Sequence, residues 1–242
     1  MAAAAPTTRQ RAVLIGSMGF NQILAWGSTF YLPAVLAEPV SRSLNASVPA
    51  VVGALSWSLL VAGICAPVIG RTIDKHGGKW VLACSSLLLA LGLTAMSYAS
   101  GLALYYIAWT VLGLGMAAGL YDAGFATLGR LMGTKARGSM TGLTLIAGFA
   151  STVAWPFLAS MDASHGWQTT CRALAIIHLA VGLPLHLLTV PSPSPRAVAR
   201  PKKVKNSHAP VDSSLVWIAL FVSVRQTHLP DTTAEGHGVH LI

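Results

Sequence analysis

One acidic residue stands where an acid is hardest to keep. Asp122, in the pair Tyr121-Asp122, is the carboxylate that lies well inside an apolar run of this 242-residue chain. An ionisable group in a bilayer costs from about 3 kcal/mol upward, so by default it marks a functional site. There it can carry a proton or pair with a cationic solute. Close to a helix end it can instead reach water or bond a neighbouring helix. A second concentration of polar chemistry, Gly70-x-x-x-Asp74-Lys75-x-Gly77-x-Lys79, is completed by Arg71, His76 and Gly78 and interrupts two long apolar runs. His178 and His186 invite a metal reading, but they lie two helical turns apart with no third ligand nearby, too far to share one ion. No Ser-His-Asp set, paired carboxylates or phosphate loop appears, so the expectation is no enzyme, no cofactor and no metal site.

The elements that must carry these residues are membrane helices. Hydrophobic residues make up 54% of the chain and charged ones 10%, against about a quarter charged in soluble domains. The mean hydropathy is +0.63. A net charge of +9 would suggest nucleic acid in a soluble protein, yet most of the cations sit between apolar runs, as in membrane proteins, so no nucleic-acid partner is expected. Cys65, Cys84 and Cys171 lie inside apolar runs without paired spacing and read as small hydrophobes.

A spanning helix needs about 20 apolar residues, and six stretches qualify: roughly 12–37, 49–70, 80–99, 102–128, 139–160 and 169–190. The runs are continuously apolar rather than alternating, which argues for helices over barrel strands. Arg9, Arg11, Arg71, Lys75, Lys79, Arg130, Lys135 and Arg137 fall at the N-terminus and in the second and fourth connections. The other connections hold only Arg42, with Arg172 just inside the sixth stretch. By the positive-inside rule the N-terminus is cytoplasmic, in a multi-pass cell (inner or plasma) membrane protein. Residues 191–213 are rich in proline, serine and basic residues and read as a cytoplasmic linker drawn to anionic lipid. Residues 214–242 begin like a seventh span at 215–224, then turn polar at about Arg225. They read as a short interfacial segment with a tail, or as a truncated or out-of-frame end.

The glycine-and-charge island, in its position between the second and third apolar stretches, resembles the signature loop of the major facilitator superfamily. That pattern is G-x-x-x-D-R/K-x-G-R-R/K, and Gly78 departs from it where the family usually has arginine. The resemblance covers residues 12–190. It implies a cytoplasmic gate: Gly70, Asp74, Lys75, Gly77 and Lys79 would form a latch that closes against the other half of such a transporter. From the residues themselves, Gly70 is expected to let a neighbouring helix come close, and Gly77 and Gly78 to permit the reversal. The bland alternative is a topogenic loop whose charges stay in water.

In the fourth stretch, Trp109-Thr-Val-Leu-Gly113-Leu-Gly115 stands where the superfamily often has R-x-x-x-G-x-G, with Trp109 in place of an arginine that in many proton-coupled members belongs to the coupling machinery. Gly113, Gly115 and Gly119 lie in an apolar run and read as helix-packing positions, not as a dinucleotide fingerprint. In the first stretch, Gln22, Trp26, Thr29 and Pro33 recur at i, i+4, i+7 and i+11 as one helical stripe, with Asn21 beside it. The resemblance makes this stripe, with Trp109 and Trp155 (of Trp155-Pro156), a candidate cavity lining. Helix–helix hydrogen bonding is the competing reading.

The fold expected is therefore all-α and integral to the membrane. It is a six-helix half bundle of two inverted three-helix repeats over residues 1–190, with a partial seventh span. The resemblance implies secondary transport of a small solute by alternating access, with a coupling proton and membrane lipid as partners. Asp122 is the expected proton- or substrate-coupling residue. Phe30-Tyr31-Leu32-Pro33 looks somewhat like efflux and monocarboxylate branches. The alternatives are an inactive fragment awaiting its C-terminal half, a membrane scaffold without transport, and a self-associating, homodimeric half-transporter.

Overall fold

The computed structural model describes residues 7–192; the linker expected at 191–213, from residue 193 onward, and the partial span and tail expected at 214–242 lie outside them. Helix α1, Thr8–Ser28, starts at a reciprocal cap in which the Thr7 hydroxyl accepts from the Gln10 N–H and the Gln10 side chain accepts from Thr7 N–H. It stops at Thr29 because Pro33 has no N–H to extend the ladder. Helix α2, Leu32–Leu44, begins with that proline in its first turn and ends on Asn45 in the left-handed conformation.

Helix α3, Val48–His76, continues straight through Arg71 to His76, and α4, Lys79–Ser97, follows after two residues. Most of the charged island is therefore helix rather than loop. Nothing from Arg71 to His76 breaks a helix, and Lys75 and His76 suit the negative end of the dipole. Gly77, at φ 83°, makes the reversal.

Helix α5, Leu102–Gly119, breaks at Leu120 into α6, Tyr121–Met132. A short 3-10 turn, Gly133–Lys135, leads to α7, Ala136–Ala147. Helix α8, Ala150–Ile177, is interrupted at Gly166 (φ 77°) and runs into one wide π turn, His178–Gly182, before α9, Leu183–Thr189. Pro184, in the first turn of α9, has no N–H for the preceding turn, which accounts for the local widening.

All six apolar stretches fall almost wholly in helix. Four helical runs among the described residues are long and apolar enough to cross a membrane: Thr8–Leu44, Val48–His76, Lys79–Ser97 and Leu102–Thr189. The last is 88 residues long, far beyond one crossing, and the positive-φ glycines Gly133 and Gly166 divide it.

Helix α4 is central, packing on α5, α8 and α9, while α3 lies on α5 and α6, and α1 on α7 and α8. One core joins Leu36, Ala54, Leu93, Trp109, Leu112, Leu158 and Cys171; a smaller one joins Leu14, Met18, Ile73, Leu82, Leu128 and Leu143. Glycines set the helix spacing. A Cβ on Gly113 would stand 2.6 Å from the Ser58 carbonyl of α3, and one on Gly119 would stand 2.6 Å from Ser85 Oγ of α4. Gly115 lies as tightly on Leu89. Such close backbones gain dispersion contacts, the main cohesive force between helices in lipid.

Helix α3, by contrast, leaves Val52, Trp57, Leu60, Ile64 and Val68 exposed. A contiguous apolar face of that kind requires lipid or another protein surface.

Candidate functional site

The breaks in α1–α2 and α5–α6 lie side by side. At Leu120 the chain turns out of helical geometry (ψ −168°), which frees the Gly119 carbonyl from its usual partner. The Gln22 amide of α1 donates to that carbonyl at 2.7 Å, and its oxygen accepts from Trp26 Nε1 at 3.2 Å. One buried glutamine thus ties the end of α1 to the interruption in the other run.

Around this tie five aromatic rings gather. Trp26 lies 5.2 Å from Phe30, 6.4 Å from Tyr31 and 5.3 Å from Tyr121, between ring centroids. Tyr121 stacks on Phe125 at 5.3 Å with 17° between planes. Asp122 occupies the first turn of α6, where a negative charge suits the helix dipole. It is exposed, on the same open face as Phe125, opposite the buried Ala123, Gly124, Thr127 and Leu128. No cationic side chain among the described residues pairs with it; the ion pair they contain is Arg42–Glu38 at 3.9 Å.

The remaining candidates separate. The stripe expected along one helix face does not persist, because α1 ends between Trp26 and Pro33. Trp26 alone of that set is half-open, and Gln22 is engaged in the helix–helix bond that competed with cavity lining. Thr29 is buried, its hydroxyl donating back to the Ala25 carbonyl at 2.6 Å, and Pro33 is buried in α2. Asn21 is buried against Gly182 of the π turn, and its amide has no hydrogen-bond partner among the described residues. Trp109 is sealed in the core, edge-on to Tyr105 at 6.2 Å. Trp155 is half exposed on α8 and makes no ring contact with the cluster.

The histidines are packing residues with polar partners. His178 Nε2 lies 2.8 Å from Ser28 Oγ and His186 Nδ1 lies 3.1 Å from Ser86 Oγ, while Ser17 and Thr189 hydroxyls meet at 2.7 Å. Together they form a buried polar seam along α1, α4 and the last helical segment. A separate apolar cleft lies between α1 and α8, lined by Phe20, Ile23, Gly27, Val153, Phe157 and Ile177.

In the last turn of α3, Asp74, Lys75 and His76 are exposed. Arg130, at the end of α6, donates to the backbone carbonyls of Asp74 and Lys75 and so caps α3 with a cation. Two sequence expectations change here. Gly70 has open space where a Cβ would be, so it brings no described helix close. Gly78 has ordinary helical angles, and what requires glycine is contact: a Cβ there would fall 1.9 Å from Thr127 Oγ1.

Tyr121 and Phe125 are members of the aromatic cluster that sequence reasoning did not single out. Their signal is two aromatics one turn apart, flanking the acid in an apolar run.

A protein of Thermoproteus tenax, described as an uncharacterized 38 kDa protein in the 23S RNA operon, is 31% identical over 170 residues. The match covers 69% of this chain and 44% of that protein, so the chain spans less than half the length of the curated relative. The sequence profile of the Major Facilitator Superfamily matches residues 18–228, most of the chain. With its helices arranged as membrane elements around two facing interruptions, the chain belongs to the Major Facilitator Superfamily, a family of membrane solute transporters.

Proposed function

We propose that this chain forms one wall of a secondary transporter that works by alternating access, the equivalent of an N-terminal half. The observation that carries the reading is the meeting of two helix interruptions beside an unpaired carboxylate. Discontinuous membrane helices are where transporters place substrate sites, since a break supplies free backbone groups and a local change of direction. Asp122 is the coupling or substrate-pairing residue, with Trp26 and Tyr121 as contact residues.

In this reading the described residues make six crossings. Thr8–Leu44 is the first, α3 and α4 the next two, and α5 with α6 the fourth. The chain then crosses up to Gly166 and again from Gly166 to Thr189. The two sets of three are inverted repeats, with the N-terminus, the turn at Gly77 and the turn at Gly133 on the cytoplasmic face. The distribution of arginine and lysine supports that orientation. The apolar face of α3 and the open space beside Gly70 are the surface a second half, or a second copy, would cover. Asp74, Lys75 and Lys79 then form the edge of the cytoplasmic gate.

The test is reconstitution of the full chain in liposomes, with uptake measured for cationic, neutral and anionic solutes. Saturable uptake that Asp122→Asn abolishes is the expected result. If crosslinked dimers accompany it, two copies rebuild the pathway. No uptake of any solute in vesicles holding folded chain would overturn transport by this polypeptide.

A further inference from the structure

We propose that the aromatic cluster and Asp122 together bind an organic cation of the quaternary-ammonium class. The inference rests on the transport reading in one respect, that the open face of α6 is wetted. Five rings from α1, the α1–α2 junction and α6 contact one another, and none is sealed: Phe30 is 41% exposed and the other four are half-buried. Exposed rings elsewhere in this protein stand singly: Trp80, Phe149 and Trp155 make no ring contact among the described residues, whereas these five contact one another. The cluster is built as walls. Tyr121 and Phe125 form a parallel panel, and Trp26 meets Tyr121 at 47°. The Trp26 N–H is already given to Gln22, so what remains on offer is its π face, the strongest cation-binding surface among aromatic side chains.

Charge decides the ligand's sign. Asp122 shares the open face with Phe125, and no described side chain neutralises it. An anion would meet repulsion there, and a neutral solute gains at most a hydrogen bond to the carboxylate, where a cation also gains charge pairing. Hydrogen-bonding capacity decides the cation's type. A primary ammonium wants three acceptors; the Gly119 carbonyl already serves Gln22 and Thr29 is buried, which leaves Asp122 and the phenol oxygens of Tyr31 and Tyr121 as the acceptors the cluster offers. A methylated cation needs π faces and one carboxylate.

The experiment is equilibrium binding of radiolabelled choline to the full chain in detergent micelles, with 3,3-dimethylbutan-1-ol, its uncharged isostere, as competitor. Choline is expected to bind saturably and the isostere to compete about tenfold more weakly or worse, the scale of a desolvated cation–π contact. Asp122→Asn and Trp26→Leu should each weaken choline by about tenfold. Asp122→Glu should retain binding, and Trp80→Leu, outside the cluster, should leave it unchanged. Equal competition by the isostere overturns the inference without any variant having to fold, as does unchanged affinity in folded Asp122→Asn. Uptake of an anionic or neutral solute with no choline binding overturns this inference and leaves transport standing. Choline binding without any flux supports this inference while counting against transport.

Discussion

Placing a side chain at Gly78 should strain the turn that links α3 to α4. A Cβ there would lie 1.9 Å from Thr127 Oγ1, 2.5 Å from its Cγ2 and 2.6 Å from its Cβ. Thr127 cannot simply rotate away. Its hydroxyl is held on the Ala123 carbonyl at 2.7 Å, and any rotamer leaves its Cβ in place. The turn or α6 must therefore shift, and overpacking a filled site costs about 1–3 kcal/mol. Gly78→Ala should lose that much, and Gly78→Arg, which installs the superfamily's usual residue, at least as much. Thr127→Gly alone should cost about 0.3 kcal/mol in helix propensity. In that background Gly78→Ala should cost only a few tenths, leaving a coupling of at least about 1 kcal/mol. The assay is a four-protein cycle of equilibrium unfolding in mixed dodecylmaltoside–dodecylsulfate micelles, followed by circular dichroism. A change for Gly78→Ala within about 0.5 kcal/mol of zero, or the same cost in both backgrounds, would refute the contact.

Three further outcomes follow from the same geometry. Gln22→Leu unties the Gly119 carbonyl and the Trp26 indole together and should cost about 1–3 kcal/mol in the same unfolding assay, because a buried acceptor is left unmet; no loss would mean the tie is idle. Asn21→Leu should be neutral or stabilising, since both ends of that buried amide lack partners among the described residues; a loss beyond about 1 kcal/mol would show the amide is engaged. Arg130→Ala removes the cation from the end of α3, worth about 0.3–1 kcal/mol at an exposed helix terminus. It should speed trypsin cleavage at Lys75 and Lys79 in micelles while barely moving global unfolding, and an unchanged cleavage rate would refute the cap.

The membrane helices could be read from the sequence because long apolar runs and the placement of arginine and lysine are local signals. The helix ends were harder to read. Residues 71–76 look like a loop by charge, yet charge does not end a helix; Gly77 does, by adopting positive φ. The α1–α2 break was legible in Pro33, whose missing N–H ends α1 ahead of it. The break at Leu120 was not, since Gly119-Leu120-Tyr121 carries no proline and the carbonyl it frees is met by a glutamine nearly a hundred residues earlier in the chain. The roles of glycines depended on neighbours the sequence cannot supply: Gly70 was expected to touch a helix and has open space, while Gly78 was expected to bend and instead makes room for Thr127. Asp122 stood out by being costly where it is. The rings around it come from segments far apart in the chain, and only the fold brings Trp26 to Tyr121.

The most direct measurement of the proposed pathway is cysteine accessibility at its centre. With Cys65, Cys84 and Cys171 replaced, Asp122→Cys and Trp26→Cys are each treated with a membrane-impermeant thiol reagent in sealed right-side-out and inverted vesicles. A water-filled pathway with alternating access predicts labelling of both positions from each side, with reagent bound from one side excluding the other. Failure to label either position from either side, while Lys79→Cys at the start of α4 labels normally, would place the cluster against lipid and contradict a solute pathway there.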